Sequence, residues 1–446
     1  MKIVIAGAGD IGFHLAKLLA LEQKDIVLID NNQEVLDYVV THLDVITIKG
    51  DSSSVTVLEE AGVRNAGLFL AVTTSEKTNL LAAILAKKLG AKQTIARINN
   101  REYLDDITKE HFKQLGIDSL ICPRQLAAQE IARLIRQVSL TDIFDFEKGK
   151  ISIIGFMLDE SSPLVDKTVR EIDKNNPEVP FKPIAILRNH QTIIPKGDFR
   201  LQGKDHIYCI TKNDTIDQVI KFVGKDLVNV KNIMIVGGSD VGLTTAQLLE
   251  EDYNVTLVEQ DKETCKLLAE SLDNTLIIKA DPGNVELLKE EGLKNMDAFI
   301  ALTPNSETNI ITSLMAEDAG VFKTIALVNN TDYTHISQNI GIDTIINKKL
   351  IAANNIFRFV RKGKVEAITS LHGVSAEIIE FVIQKNNRIT KYKLKDLHFP
   401  SKAVIAGVIR GEESIIPDGN FQLQLHDKVI VFSLPEAISK VEELFR

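Results

Sequence analysis

The feature that most narrows what this chain can fold into is an internal duplication. Residues 3 to 12, IVIAGAGDIG, match residues 233 to 242, IMIVGGSDVG, at an offset of 230. The match runs on for about a hundred residues: LFLAVTTSEKTN (68 to 79) pairs with AFIALTPNSETN (298 to 309), and TIARINNREY (94 to 103) with TIALVNNTDY (324 to 333). A second, shorter element follows each copy, since IIPKGDFRLQGKD (193 to 205) returns as IIPDGNFQLQLHD (415 to 427). Self-similarity at a fixed spacing means one structural unit used twice, here in the order large, small, large, small.

Within the first large unit, short Ile- and Val-rich runs (Ile3 to Ala6, Ile26 to Ile29, Val45 to Ile48, Leu68 to Val72, Thr94 to Ile98) alternate with longer segments of helical periodicity. That alternation predicts an α/β fold: a Rossmann-like, doubly wound parallel sheet with helices on both faces, present twice. Each small unit reads as short strands punctuated by Gly and Pro around one short helix, near Val165 to Ile172 or Leu394 to Leu397, which predicts a compact α+β domain. The four expected domains are 1–140, 141–228, 229–365 and 366–446. Pro123 to Val138 carries an apolar stripe (Leu126, Ala127, Ile131, Leu134, Ile135, Val138), with Lys349 to Val360 as a less regular counterpart. Such a stripe packs on a core or joins lobes or subunits.

Composition excludes some function classes. A net charge of −9 with 25% charged residues describes an ordinary soluble surface without the basic footprint that nucleic acid or anionic lipid requires. Cys122, Cys209 and Cys265 have no CxxC spacing, which predicts free thiols rather than a disulfide framework or a thiolate metal site. The chain passes from Met1-Lys2 directly into a strand-like run, and no run approaches 18 apolar residues, so work at a membrane is expected to go through a partner.

The chemistry concentrates in Gly7-Ala8-Gly9-Asp10-Ile11-Gly12, which follows the first strand and opens a helix. Gly7 permits the tight turn, Gly9 lets the backbone approach a pyrophosphate, and Gly12 lets helix and strand pack closely. The helix N-terminus then offers N–H groups and a favourable dipole to phosphate. At the end of the second strand, 23 residues after Gly7, Asp30 can accept hydrogen bonds from both ribose hydroxyls of an adenine nucleotide. A 2′-phosphate would meet that carboxylate as a like charge, and Asn31-Asn32 provide no offsetting cation, so NADP is disfavoured while NAD(H) and ATP or ADP remain. In the second copy the glycine pattern becomes Gly237-Gly238-Ser239-Asp240-Val241-Gly242, and Glu259 stands for Asp30.

Ligands of open α/β sheets lie beyond the carboxyl ends of the strands. That places Asp51 and Ser52 after the third strand, Thr73 and Thr74 after the fourth and Arg97 on the fifth among the candidate pocket residues, with Asp281, Thr303 and Leu327 as counterparts. Only the first copy therefore has an arginine there to reach phosphate, and Arg97 could equally serve an ion pair. Asp51 and Asp281 could instead cap the following helix.

At these residues the sequence resembles the RCK/KTN family, regulators of potassium conductance or transport, as arranged in peripheral regulatory subunits of Trk-type potassium transporters. The resemblance covers nearly the whole chain: GAGDIG with Asp30, the Gly50-Asp51 step, AVTTSEKTN, and IIPKGDF and IIPDGNF in the expected order. It implies NAD(H), and in some cases ATP or ADP, at the Rossmann sites. It also implies a homo-oligomer, a dimer or ring, on the cytoplasmic face of a membrane ion-conducting subunit that it gates. Ser239 and Leu327 depart from the pattern and predict unequal occupancy of the two sites. The competing class is an NAD-dependent oxidoreductase, which needs an acid or base beside the nicotinamide. No cluster of His, Lys and carboxylate is evident in the small units, no histidine recurs at matching positions, and His14 and His111 read as surface or core histidines. A sensor or a subunit of another cation transporter needs only differential affinity between two conformations.

Overall fold

The computed structural model describes residues 1–20, 25–146, 149–175, 179, 181–189, 191–225, 230–329, 342, 344–360, 368–370 and 376–445. The expected boundaries at 228/229 and 365/366, and the repeated residues 330–333, lie outside these.

The first lobe contains β1 (Lys2–Ala6), α1 (Asp10–Ala20), β2 (Asp25–Asp30), α2 (Gln33–His42), β3 (Ile46–Lys49), α3 (Val55–Glu60), β4 (Ala66–Ala71), α4 (Glu76–Leu89), β5 (Thr94–Arg97), α5 (Asp106–Gln114), β6 (Ser119–Ile121) and α6 (Pro123–Arg136). All strand pairs are parallel, in the order β3-β2-β1-β4-β5-β6, so the order reverses between β1 and β4, directly above Gly7. The central strands are buried on both faces: Ile3, Val4, Ile5 and Ala6 have no exposed area, which is why β1 is a continuous apolar run rather than an alternating one. On α4 the small residues Ala82, Ala83 and Ala86 face the sheet, letting the helix approach closely.

The first small domain comprises β7 (Asp142–Phe146), β8 (Ile151–Met157), α7 (Val169–Asn175), β9 (Lys182–Arg188), β10 (Gln191–Ile193), β11 (His206–Lys212) and α8 (Ile216–Phe222), with an antiparallel sheet ordered β10-β9-β11-β8-β7. The second lobe repeats the first, as β12 (Asn232–Val236), α9 (Asp240–Leu249), β13 (Asn254–Glu259), α10 (Lys262–Ser271), β14 (Thr275–Lys279), α11 (Val285–Glu290), β15 (Ala298–Ala301), α12 (Ser306–Asp318), β16 (Lys323–Leu327), β17 (Thr344–Ile346) and α13 (Lys348–Val360). Its sheet order, β14-β13-β12-β15-β16-β17, is that of the first lobe. The second small domain holds β18 (Ile368–Ser370), β19 (Glu377–Val382), α14 (Arg388–Lys391), β20 (Ala403–Arg410), β21 (Glu413–Ile415), β22 (Lys428–Ser433) and α15 (Ile438–Phe445).

The chain is organised as two compact units that cut across the repeat: both Rossmann lobes form one, and both small domains the other. In the second unit Phe146, Ile153, Ile184 and Tyr208 of one repeat share an apolar core with Ile378, Ala406, Ile430 and Phe432 of the other. Lys182 crosses the same boundary, its Nζ donating to the carbonyls of Ile405 and Pro417, each at 2.9 Å. Burial lowers its pKa to about 8.

The small domains differ from the expectation of one short helix each. Each carries a second helix at its end, α8 and α15, whose apolar spacing (Ile216, Val219, Ile220 in α8) spans too few residues to stand out from sequence. The segment expected to be helical near Leu394 is only a 3₁₀ turn, Leu394–Asp396, and β3 starts at Ile46 rather than Val45.

Candidate functional site

In both lobes the first strand is followed by a glycine held at φ 103°, Gly7 and Gly237, a backbone conformation that favours glycine. The third glycine is fixed by proximity. A Cβ on Gly12 would lie 1.8 Å from the Gly7 carbonyl oxygen, and one on Gly242 would lie 2.1 Å from that of Gly237. The middle position is different, since a Cβ on Gly9 would meet nothing within 4 Å. That space explains why the second copy tolerates serine. The Ser239 hydroxyl caps its own helix, accepting from Gly242 N at 3.5 Å and donating to Leu302 O at 3.1 Å.

The carboxylate at the end of the second strand does more than wait for a ribose. Asp30 Oδ2 accepts from Ala8 N at 2.8 Å and Oδ1 from Asn32 N at 2.9 Å. Glu259 repeats this, accepting from Gly238 N at 2.7 Å and from Asp261 N at 2.9 Å. A carboxylate has about four acceptor positions. One is spent on tethering the glycine loop and one on the backbone two residues further along, which leaves about two for a diol. The extra methylene of Glu259 is taken up without loss of either contact.

A pocket of about 710 Å³ opens above the second sheet, lined by Gly237, Gly238, Ser239 and Asp240 of the glycine loop and by Glu259, Asp281 and Thr303. It thus brings together most of the residues expected for the second site; Val241 and Gly242 lie just behind it, buried at the start of α9.

Thr73 and Thr303 are structural members of the site. Thr73 Oγ1 donates to Asn79 Oδ1 at 2.7 Å, and the Asn79 amide donates to the carbonyls of Thr73 (3.0 Å) and Arg97 (2.9 Å). Asn309 does the same for Thr303 and Leu327. These buried asparagines staple the β4 and β15 loops to the neighbouring strands. The sequence carried the signal, the Asn ending both TTSEKTN and TPNSETN, but not its role.

Asp51 and Asp281 do not cap helices: Asp51 accepts from Ser53 N and Ser53 Oγ, and Asp281 from Gly283 N, while the caps are Ser54 and Asn284. Those bonds hold the Asp51 carboxyl below its ordinary pKa. Ser52 is buried, Thr74 is exposed, and Leu327, at 2% exposure, is a core residue. Arg97 is partly buried at the end of β5, and its Nε has no hydrogen-bond partner among the described residues. Burial first, and then the nearby Arg124, disfavour its charged form. Ile11 and Gly12 are buried at the start of α1 while Asp10 is exposed.

Among the described residues no group of His, Cys, Asp and Glu could hold a metal ion, and no helix is long and apolar enough to cross a membrane.

The TrkA-N domain family matches residues 3–123 and 233–348, one Rossmann lobe each, and the TrkA-C domain family matches 153–224 and 378–446. The chain belongs to the TrkA family. Among TrkA relatives, the Trk system potassium uptake protein TrkA homolog of Archaeoglobus fulgidus is 33% identical over the full length of both chains. Two solved structures share the fold: the GsuK RCK domain (TM-score 0.61, 13% identity, 100% of this chain and 94% of that one) and the GsuK channel bound to NAD (0.61, 13%, 100% and 78%). The alternation of domain types seen in this sequence is thus accompanied by the RCK-type α/β fold expected for it.

Proposed function

We propose that this TrkA-family chain is a cytoplasmic, nucleotide-sensing regulatory subunit, peripheral on the inner face of the cell membrane. It binds NAD(H), with ATP or ADP as competing ligands, and gates a membrane-embedded, TrkH/TrkG-like potassium-translocating subunit. The observation that carries this reading is the pair of cradles, in each of which a carboxylate both tethers the glycine loop and keeps acceptor positions free for a ribose diol. The relatives named as potassium uptake proteins and the neighbour named as bound to NAD support the same reading. The site residues are those given above, and the division at 1–140, 141–228, 229–365 and 366–446 is the domain organisation we assign.

The chain works as a homo-oligomer, a dimer or ring, rather than as an enzyme. Moving a gate from mostly shut to mostly open takes about 5.5 kcal/mol of differential binding, which several cradles in one assembly can share. Calorimetric titration with NADH, NAD, ATP, ADP and NADPH, alongside an NADH oxidation assay, tests the sensor. Binding of a nucleotide with a free ribose diol, without turnover, is expected; turnover would favour an oxidoreductase, and no binding a ligand-free scaffold. Nucleotide-dependent potassium flux in vesicles carrying the membrane subunit tests the gating.

A further inference from the structure

Two ion pairs cross between the Rossmann lobes, and they are repeat counterparts of each other. Arg124, second residue of α6 in the first lobe, pairs with Asp240, first residue of α9 in the second. Lys349, second residue of α13 in the second lobe, pairs with Asp10, first residue of α1 in the first. Asp10 and Asp240 open the two helices whose N-termini form the cradles, so each cradle has at its rim a cation from the opposite lobe. The lobes are in firm register here: α1 packs on α13, and Arg101 of the first lobe donates to Thr244 Oγ1 (3.1 Å) and Gln247 Oε1 (2.7 Å) on α9.

The charge at this junction is unbalanced. Arg97 and Lys348 lie close enough to Arg124 to repel it, and Lys348 also repels Lys349. Arg97 and Lys348 thus add two cations beside the two that the aspartates hold, and the Arg97 Nε has no hydrogen-bond partner among the described residues. A partly buried surplus of positive charge is relieved by an anion. A nucleotide phosphate at either helix N-terminus supplies one next to the aspartate that the cross-lobe cation already holds.

We propose that each cradle is completed in trans: Lys349 is the phosphate-facing cation of the first cradle and Arg124 that of the second. This rests on the reading that the cradles bind nucleotide. The ammonium or guanidinium is shared between the rim aspartate and the phosphate, reducing the repulsion between those two anions. Nucleotide in one lobe therefore draws on the helix of the other: the first cradle on α13, the second on α6.

The test separates the sites with ribose-hook variants of the full chain and titrates each with NADH by calorimetry. In Asp30→Ala the remaining tight site is the second cradle, and in Glu259→Ala it is the first. Arg124→Ala is expected to weaken the residual binding of Asp30→Ala about tenfold, the scale of one lost charge-assisted contact, and that of Glu259→Ala by at least five times less. Lys349→Ala should show the reverse pattern, and Arg124→Lys and Lys349→Arg should restore most of the affinity, which a merely misfolded variant would not allow. Alanine variants that weaken the cradle of their own lobe, or neither cradle, overturn trans completion while leaving the nucleotide reading intact. Absence of NADH binding to the unaltered chain overturns both.

Discussion

Arg188 and Asp205 form a two-pronged ion pair in the first small domain, Nε and Nη2 each donating to one carboxylate oxygen at 2.6 Å. Arg410 and Asp427 repeat it in the second, both contacts at 2.8 Å. Asp205 and Asp427 are buried, each also accepting from a backbone N–H, of Gln202 and Gln424, and each guanidinium lies over a phenylalanine, Phe199 or Phe421. The repeated Phe, Gln and Asp of IIPKGDFRLQGKD and IIPDGNFQLQLHD thus surround, in each small domain, a half-buried arginine paired with a buried aspartate. Removing one partner of a buried pair strands the other, at a cost of about 3–5 kcal/mol. Asp205→Ala is expected to lower unfolding free energy by about that amount in chemical denaturation. A loss below 1 kcal/mol would show that water replaces the carboxylate freely.

The glycines of the first cradle should separate packing from binding. Gly12→Ala forces a methyl against the Gly7 carbonyl and is expected to lower the melting temperature of the chain as well as abolish first-site binding. Gly9→Ala meets nothing, so its melting temperature should stay close to that of the unaltered chain while nucleotide affinity falls. Equal affinity in Gly9→Ala would mean that the phosphate does not approach the loop there.

Asp30→Asn keeps one acceptor and removes the charge, disturbing both the Ala8 tie and the ribose hook. First-site affinity for NADH should fall about 10- to 100-fold, in line with one or two charge-assisted hydrogen bonds, while NADPH should lose less because its 2′-phosphate no longer faces an anion. Parallel losses for the two ligands would place the ribose elsewhere.

His14, on α1, has its pKa lowered to about 4 by burial and then by Lys17. The unfolded chain holds its proton up to about pH 6.5, so between 6.5 and 4 the unfolded state binds more protons than the folded one. Stability from this residue is therefore full above pH 6.5 and lost as pH falls toward 4, by ~3 kcal/mol in all. His14→Gln should flatten that part of the difference curve in denaturation measured from pH 7 to 4.5; an unchanged slope would show that His14 remains solvated.

What could be read from sequence follows from where the information sits. The six-stranded sheets were legible because β1, β2 and β4 are continuous apolar runs with turn residues between them, and the cradle because its first and third glycines recur at the same spacing, with a carboxylate 23 residues after the first glycine in one copy and 22 in the other. Arg188 was not, because it lies outside the repeated motif and its partner Asp205 is 17 residues on. The crossed pairs were less legible still: Arg124 and Asp240 are 116 residues apart and Asp10 and Lys349 are 339 apart, and nothing local couples them. Asp51 shows the opposite case: its position also offered it as a helix cap, but its side chain accepts from Ser53 instead.

The apolar core shared by Phe146 and Ile153 with Ile430 and Phe432 has a genetic consequence. A gene of half this length would encode a product with that face bare, and two such products would close it by pairing. Fusion makes the pair a single polypeptide, and releases its halves from the identity that a two-fold dimer imposes. Gly9 against Ser239, and Arg97 against Leu327, are differences that a fused chain can accumulate one binding surface at a time and that a dimer of one gene product cannot.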